Sequence, residues 1–342
     1  MSHFREAERE RQIKWRRKTL QNQENGRQNN HYYEHVLPAE NWELNLWPGI
    51  RSDSSLPLSE YLKREQIQKH SGSHNLLSSW ILCANLYFPF RKSAASLALL
   101  RDFLSAKVSA DIAKVTCVEL EFESRELCLK HGCLLGEKAG KRGSGQTSPD
   151  LAFIAESTNG GQALILVESK FTESNFERCS GYFKKGNEKY PRNSDPSRCL
   201  HAHKLLPFDD GCCHLGQWGR RYWEYLLPAI NKDAFAALNS CPAAFAGYQL
   251  LRQQALTEAI AQSGRYELVM SCVAYDRDND PLLCCLTKTG ISDFRTGWGR
   301  LFSGKSKFLT FTHQEWVSWI RQHDDAGEWQ DWLIYIEGRY GY

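Results

Sequence analysis

Apolar side chains recur along this chain with two different periods, and the change of period locates most of its elements. From Ser93 to Val108 they fall at Leu97, Leu100, Phe103 and Leu104, the spacing of a helix with one buried face. Between Val115 and Glu123 the period drops to two. Val118, Leu120 and Phe122 point one way and Glu119, Glu121 and Glu123 the other, which predicts a half-buried strand. Residues 151–155 and 162–167 are apolar, β-rich runs separated by Ser157-Thr158-Asn159-Gly160-Gly161, and Asn-Gly between two such runs predicts a hairpin. A helix is predicted over 244–261 and a strand over 267–275. Upstream, helices are predicted over 59–70 and 76–86, the second capped by Ser73 or Asn75 and closed before Pro89. Trp316, Trp319, Trp329 and Trp332 follow helical spacing as core residues of an α-rich C-terminal region.

Four regions follow: a basic arm over 1–30, a helical region over 31–94, an α/β core over 95–275 with an insertion at about 174–243, and the C-terminal region over 276–342. The arm is a helix by propensity, with seven basic and three acidic residues between positions 4 and 18, then a polar linker. Such a segment suits a phosphate backbone, a partner surface or plain solvent. The 342 residues are 42% hydrophobic and 24% charged, as in an ordinary soluble protein. No apolar run approaches the roughly 18 residues of a membrane span, so no membrane partner is expected. The charged start does not read as a secretory signal, and the twelve cysteines are then expected as reduced thiols in the cytoplasm.

The candidate chemistry lies at the ends of the hairpin. Ser148-Pro149-Asp150 precedes its first strand, and Glu168-Ser169-Lys170 closes its second. A turn centred near Asn159 and Gly160 brings Asp150 opposite residues 169 and 170, within about two residues. Glu168 and Lys170, two apart, project from one strand face. Two carboxylates can hold a hard cation such as Mg²⁺ through oxygen, and an ammonium can orient water or stabilise developing negative charge. A surface hairpin with ordinary charges is the plain alternative. It fits poorly, because charges at the end of a buried strand are costly unless used or paired.

Pro149-Asp150 and Glu168-Ser169-Lys170 resemble the signature of the PD-(D/E)xK nuclease superfamily, and the run from Glu168 to Glu173 resembles a bacterial restriction-endonuclease-like subgroup. The resemblance covers about 95–275. It implies a restriction-endonuclease-like α/β core, a mixed central sheet flanked by helices, and metal-dependent hydrolysis of DNA phosphodiesters. Asp150 and Glu168 would bind Mg²⁺, with Mn²⁺ as a substitute, the Ser169 carbonyl would assist, and Lys170 would position the nucleophilic water. A further upstream acid is usual in such sites; Glu119, Glu121 and Glu123 are the candidates, with nothing to choose between Glu119 and Glu121. Gln249, beside Tyr248, resembles the glutamine and tyrosine of RecB-like members, although those are separated by three residues. The biological roles implied are restriction of foreign DNA or processing of DNA ends.

Two basic stretches suit nucleic acid. Residues 178–204 carry seven basic groups against Glu188 and Asp195, with Tyr182, Phe183 and Tyr190 interleaved. Lys184, Lys185, Lys189, Arg192 and Arg198 are the contacts expected there. Residues 295–307 add Arg295, Arg300, Lys305 and Lys307 around Trp298. DNA is the expected partner, RNA stays open beside it, and so does a second copy of the chain or a partner protein. Cys179, Cys199, Cys212 and Cys213 gather near His201, His203 and His214 and could hold zinc or an iron–sulfur cluster, but no CxxC pair is present and reduced thiols are the expectation. Two other functions compete with cleavage. One is a nucleic-acid-binding protein that keeps the fold without cutting; the other, from His31, Glu34 and His35, is a zinc peptidase, which needs a helix there.

Overall fold

The run from Ala163 to Val167 is apolar at every position because both of its faces are covered. Ala163, Ile165 and Val167 enter one core, Leu164 and Leu166 the other. The computed structural model describes residues 2–52, 57–138, 140–183, 190–201 and 213–342. Its central sheet has five strands in chain order, β3 (Ile112–Leu120), β4 (Leu151–Ser157), β5 (Gln162–Lys170), β6 (Leu268–Tyr275) and β7 (Lys307–Thr312). The first three form an antiparallel meander, and β5, β6 and β7 run parallel. A separate two-stranded hairpin, β1 (Gly26–Gln28) and β2 (His31–Tyr33), lies near the N-terminus.

One face of the sheet is covered by α2 (Ser79–Tyr87), α3 (Ala94–Lys107), α5 (His313–His323) and α6 (Gln330–Tyr340). Ser78 and Ser93 cap α2 and α3, and a Thr312–Glu315 capping box starts α5. The other face is covered by α4 (Tyr248–Gln262) and by the insertion, whose Tyr222, Leu226 and Phe235 are buried in the same layer. The order α3, β3, β4, β5, α4, β6 is that of the restriction-endonuclease-like core, and the fold is mixed α/β of that class.

Several boundaries differ from the sequence expectation. The helix expected over 59–70 stops at Arg64, and Gln66 turns into the left-handed region. The helix expected over 244–261 is split into Pro242–Phe245 and α4, with Gly247 between them. The C-terminal region is not purely helical. It supplies β7, whose six residues are too short for their alternation to stand out.

The N-terminal segment is not a free arm. Helix α1 (His3–Thr19) packs on α6, where Gln12 and Arg339 exchange two hydrogen bonds of 3.1 Å. Trp15 and Arg16 are buried, and Arg16 donates to the carbonyls of Glu34 and Val36. His31–Tyr33 is a strand and Glu34 pairs with Arg17 at 2.5 Å, so the helix a zinc peptidase requires does not form. In the basic stretch near Trp298, Arg295, Arg300, Lys305 and Lys307 are all exposed. Trp298 lies in the core, and Arg295 pairs with Asp293 just upstream. No helix among the described residues is long and apolar enough to cross a membrane.

Candidate active site

Strand β5 ends in charge. Glu168 and Lys170 face α4, as their even numbering with Leu164 and Leu166 requires, and are 8% and 5% exposed. Two charges so nearly withdrawn from water must be paired. The Lys170 Nζ donates to Glu168 Oε1 at 2.8 Å and to Gln249 Oε1, on the first turn of α4, also at 2.8 Å. Burial alone would lower the Lys170 pKa, but the surrounding Glu168, Glu173 and Asp150 carboxylates outweigh it and hold the ammonium above the ordinary lysine value.

Asp150 arrives from β4. Leu151 pairs with Val167, so Asp150 is carried beside Glu168 rather than 169 and 170, inside the latitude of the sequence argument. The shift arises at the turn, where the Ser157 amide bonds the Gly161 carbonyl at 2.8 Å and centres the hairpin on Asn159. The Asp150 carboxylate accepts from the Ser169 amide at 2.8 Å. In a strand, the amide and carbonyl of one residue point to the same side, so the Ser169 carbonyl is also directed toward Asp150.

Glu119 and Glu121 have different surroundings. Strand β3 stops at Leu120 because Glu121 takes a left-handed backbone (φ 48°), which cancels the common face expected for 119, 121 and 123. Arg142 enforces that turn, donating to the carbonyls of Leu120 and Glu121 at 2.9 Å each. Arg142 also pairs with Glu119 at 3.0 Å, and Arg125 adds a second cation at 3.5 Å. Gly143 leaves room for the turn: a Cβ there would lie 2.7 Å from the Gln68 carbonyl oxygen, at a φ of +79°. Glu121 is thus swung into the cavity that Asp150, Glu168 and Gln249 line, whereas Glu119 lines another.

That cavity holds about 180 Å³ and is also lined by His70, Gln146, Thr147, Glu177, Arg252 and Gln253. Burial pushes the Glu121 carboxyl up to about 8, and the Glu168 charge adds to it. Burial together with the charges of Glu168 and Glu121 raises Asp150 well above the usual carboxylate range. Acids this close oppose one another's ionisation, and a divalent cation would relieve the repulsion. Among the described residues no three His, Cys, Asp or Glu side chains converge enough to hold a metal by themselves. Magnesium does not require three, because it is usually bound through one or two carboxylates together with substrate phosphate and water.

Other elements pin the site from behind. The His313 imidazole bonds the Lys170 carbonyl at 3.0 Å, and the Asn279 amide bonds the carbonyls of Phe171 and Glu173 at 2.9 and 2.8 Å. Glu173 accepts from the Phe171 amide rather than from Lys170. None of His70, His313 and Asn279 carries a local sequence signal. Only Arg252, three residues after Gln249, could have been placed by helical spacing.

The remaining sequence candidates stand elsewhere. Lys184, Lys185 and Lys189 lie outside the described residues, as do Cys212 and His203. Arg192 is exposed, and Arg198 pairs with Asp195 at 3.3 Å. Cys179 is buried beside the half-buried Cys199 and Cys213 in the layer over α4; burial raises the Cys179 and Cys199 thiols to about 12 and 11.

No curated protein and no solved structure matches the chain. A family model does, over residues 9–341, and the protein accordingly belongs to the family described as Restriction Endonuclease associating with ARP.

Proposed function

We propose that this protein is a metal-dependent nuclease that hydrolyses DNA phosphodiester bonds, in keeping with the restriction-endonuclease family to which it belongs. One observation carries the reading. Asp150, Glu168 and Lys170 meet at one end of a buried strand, beside a cavity whose acids repel one another unless a cation is shared. Asp150, Glu168 and the Ser169 carbonyl would hold Mg²⁺, with Mn²⁺ able to replace it. When bound, such an ion neutralises charge on the phosphate and lowers the pKa of the attacking water. Lys170 stays protonated, so it acts as an electrostatic donor that orients water, and Glu168 and Gln249 fix its position. Glu121, in the same cavity, is the better placed of the two upstream acids to complete the site. The family description names association with ARP, and we extend that partnership to this chain as part of the proposal.

The test is cleavage of linear duplex, circular duplex, single-stranded DNA and RNA with and without Mg²⁺. Wild type is compared with Asp150→Asn and Lys170→Ala. Each variant is expected to lose about 10²- to 10⁴-fold in rate, the usual contribution of a positioned proton-handling or charge-stabilising group. Equal cutting by all three proteins would overturn the assignment. Binding of duplex by wild type without any cutting would instead favour a non-cleaving DNA-binding protein.

A further inference from the structure

Resting on that reading, we infer that Arg252 is the substrate-phosphate receptor of the site, gripping a non-bridging phosphate oxygen pair through its two terminal nitrogens. Arg252 is the one arginine or lysine among the described residues that line the cavity; Glu121, Asp150, Glu168 and Glu177 line it as well. A phosphodiester entering that space meets concentrated negative charge. Lys170 is already shared between Glu168 and Gln249 and has less to offer it.

The rest of Arg252 is anchored as a receptor requires. Its Nε donates to Thr147 Oγ1 at 2.9 Å and lies 3.4 Å from Glu137 Oε1. Glu137, its side chain 4% exposed, also accepts from the Thr147 hydroxyl and amide and from the Tyr222 hydroxyl. The guanidinium carbon stands 5.5 Å from the centre of the Tyr248 ring. One edge of the fork is therefore fixed by neutral and anionic acceptors, and the ring restrains its plane. Among the described residues, Nη1 and Nη2 have no hydrogen-bond partner, and neither is among the buried unpartnered atoms. They are open donors, part of a planar fork whose geometry matches phosphate bidentately. The position on α4, one turn beyond Gln249, keeps them on the side of the cavity that the helix covers.

A merely structural Arg252 would hold Glu137 and do nothing else, and a lysine could substitute for it. The experiment uses the nucleic acid that wild type cuts best and compares wild type, Arg252→Lys, Arg252→Ala and Glu137→Gln. Turnover, KM and thermal unfolding are recorded for each. A receptor role predicts that Arg252→Lys loses roughly 10²- to 10³-fold in kcat/KM, the range for removing one preorganised donor. Its unfolding temperature should stay close to wild type. Added guanidinium should restore part of the Arg252→Ala activity, and Glu137→Gln should lose less than either. Cutting by Arg252→Lys at the wild-type rate, or losses that only follow unfolding, would overturn the inference while leaving the nuclease assignment standing. Failure of wild type itself to cut any substrate would remove both.

Discussion

His313 Nε2 lies 3.0 Å from the carbonyl oxygen of Lys170, joining the first turn of α5 to the end of β5 across 143 residues of sequence. A carbonyl can only accept, so Nε2 carries the proton and Nδ1 accepts from the Tyr87 hydroxyl at 2.9 Å. The imidazole thus holds the backbone of Lys170 while contributing no charge. Replacing it with phenylalanine leaves the buried Tyr87 hydroxyl without a partner, at a cost of about 1–3 kcal/mol, and leaves the Lys170 carbonyl held only by the Asp276 amide at 3.2 Å. His313→Phe is expected to lower stability and cleavage together, and His313→Gln, which keeps a donor near Nε2, to recover much of both. Denaturant unfolding and single-turnover cleavage check this. Equal behaviour of the two variants would sink it.

The same residue sets an acid limit. Burial lowers the His313 pKa from 6.5 to about 4. The unfolded chain therefore takes up a proton near pH 6.5 and the folded chain only near 4, and acid favours unfolding across that window. Stability measured from pH 7 down to 4 should fall less steeply for His313→Gln than for wild type. Parallel curves would show that His313 is not a source of the slope.

Glu121 works in the opposite direction. Unfolded, it ionises near 4.5; folded and free of metal, it holds its proton to about 8, because burial and the Glu168 charge oppose ionisation. Raising the pH from 4.5 to 8 then favours unfolding. In the presence of a chelator, Glu121→Gln should gain stability relative to wild type through that window. Mg²⁺ should narrow the difference by stabilising the ionised wild-type site, an effect that grows with ligand concentration over its dissociation constant. Thermal unfolding at several pH values, with and without Mg²⁺, decides it. An unchanged gap between the two proteins would refute the assignment of this slope to Glu121.

The hairpin and the residues at its ends were legible because they depend on local rules: Asn159-Gly160 defines a turn, and Glu168 and Lys170 share a face two residues apart. The split between Glu119 and Glu121 was not legible. Strict alternation puts them on one face, and only a buried guanidinium from Arg142, some twenty residues away, breaks it. Strand β7 was missed for a related reason. Parallel pairing with β6 supplies long-range hydrogen bonds that a six-residue pattern does not announce. Helix α1 left phosphate, partner surface and solvent all open as its surroundings, because most of its residues are charged. Gln12, Trp15 and Arg16 bury themselves against distant segments through bonds that no periodicity encodes.

Arg142 gives a direct test of that long-range control. It bridges Glu119 and Glu65 and donates to two backbone carbonyls. Removing one partner of a buried ion pair leaves an uncompensated charge and typically costs about 3–5 kcal/mol. Arg142→Met should therefore be strongly destabilising. Where it still folds, releasing the left-handed turn at Glu121 should reduce cleavage as well. Gly143→Ala strains the adjoining segment twice, through a left-handed φ that costs about 1–3 kcal/mol and through a Cβ 2.7 Å from the Gln68 carbonyl oxygen. Chemical denaturation measures both. A Gly143→Ala or Arg142→Met protein as stable as wild type would contradict this account.

Gln249 is the sharpest test of how Lys170 is held. Its side-chain oxygen accepts from the ammonium at 2.8 Å, opposite the equally short bond to Glu168. A hydrogen bond to a charged group contributes about 1.5–3 kcal/mol, and each 1.36 kcal/mol in a barrier is tenfold in rate. If the geometry of Lys170 controls turnover, Gln249→Met should slow cleavage by roughly 10- to 100-fold with KM little changed. Gln249→Glu behaves differently. It keeps an acceptor for Lys170 but adds a negative charge beside Asp150 and Glu168, so it should weaken binding of the anionic substrate and lower the Mg²⁺ concentration needed for half-maximal rate. Steady-state kinetics over a Mg²⁺ titration separate the two variants. A Gln249→Met protein that cuts at the wild-type rate would show that Glu168 alone suffices to place the lysine.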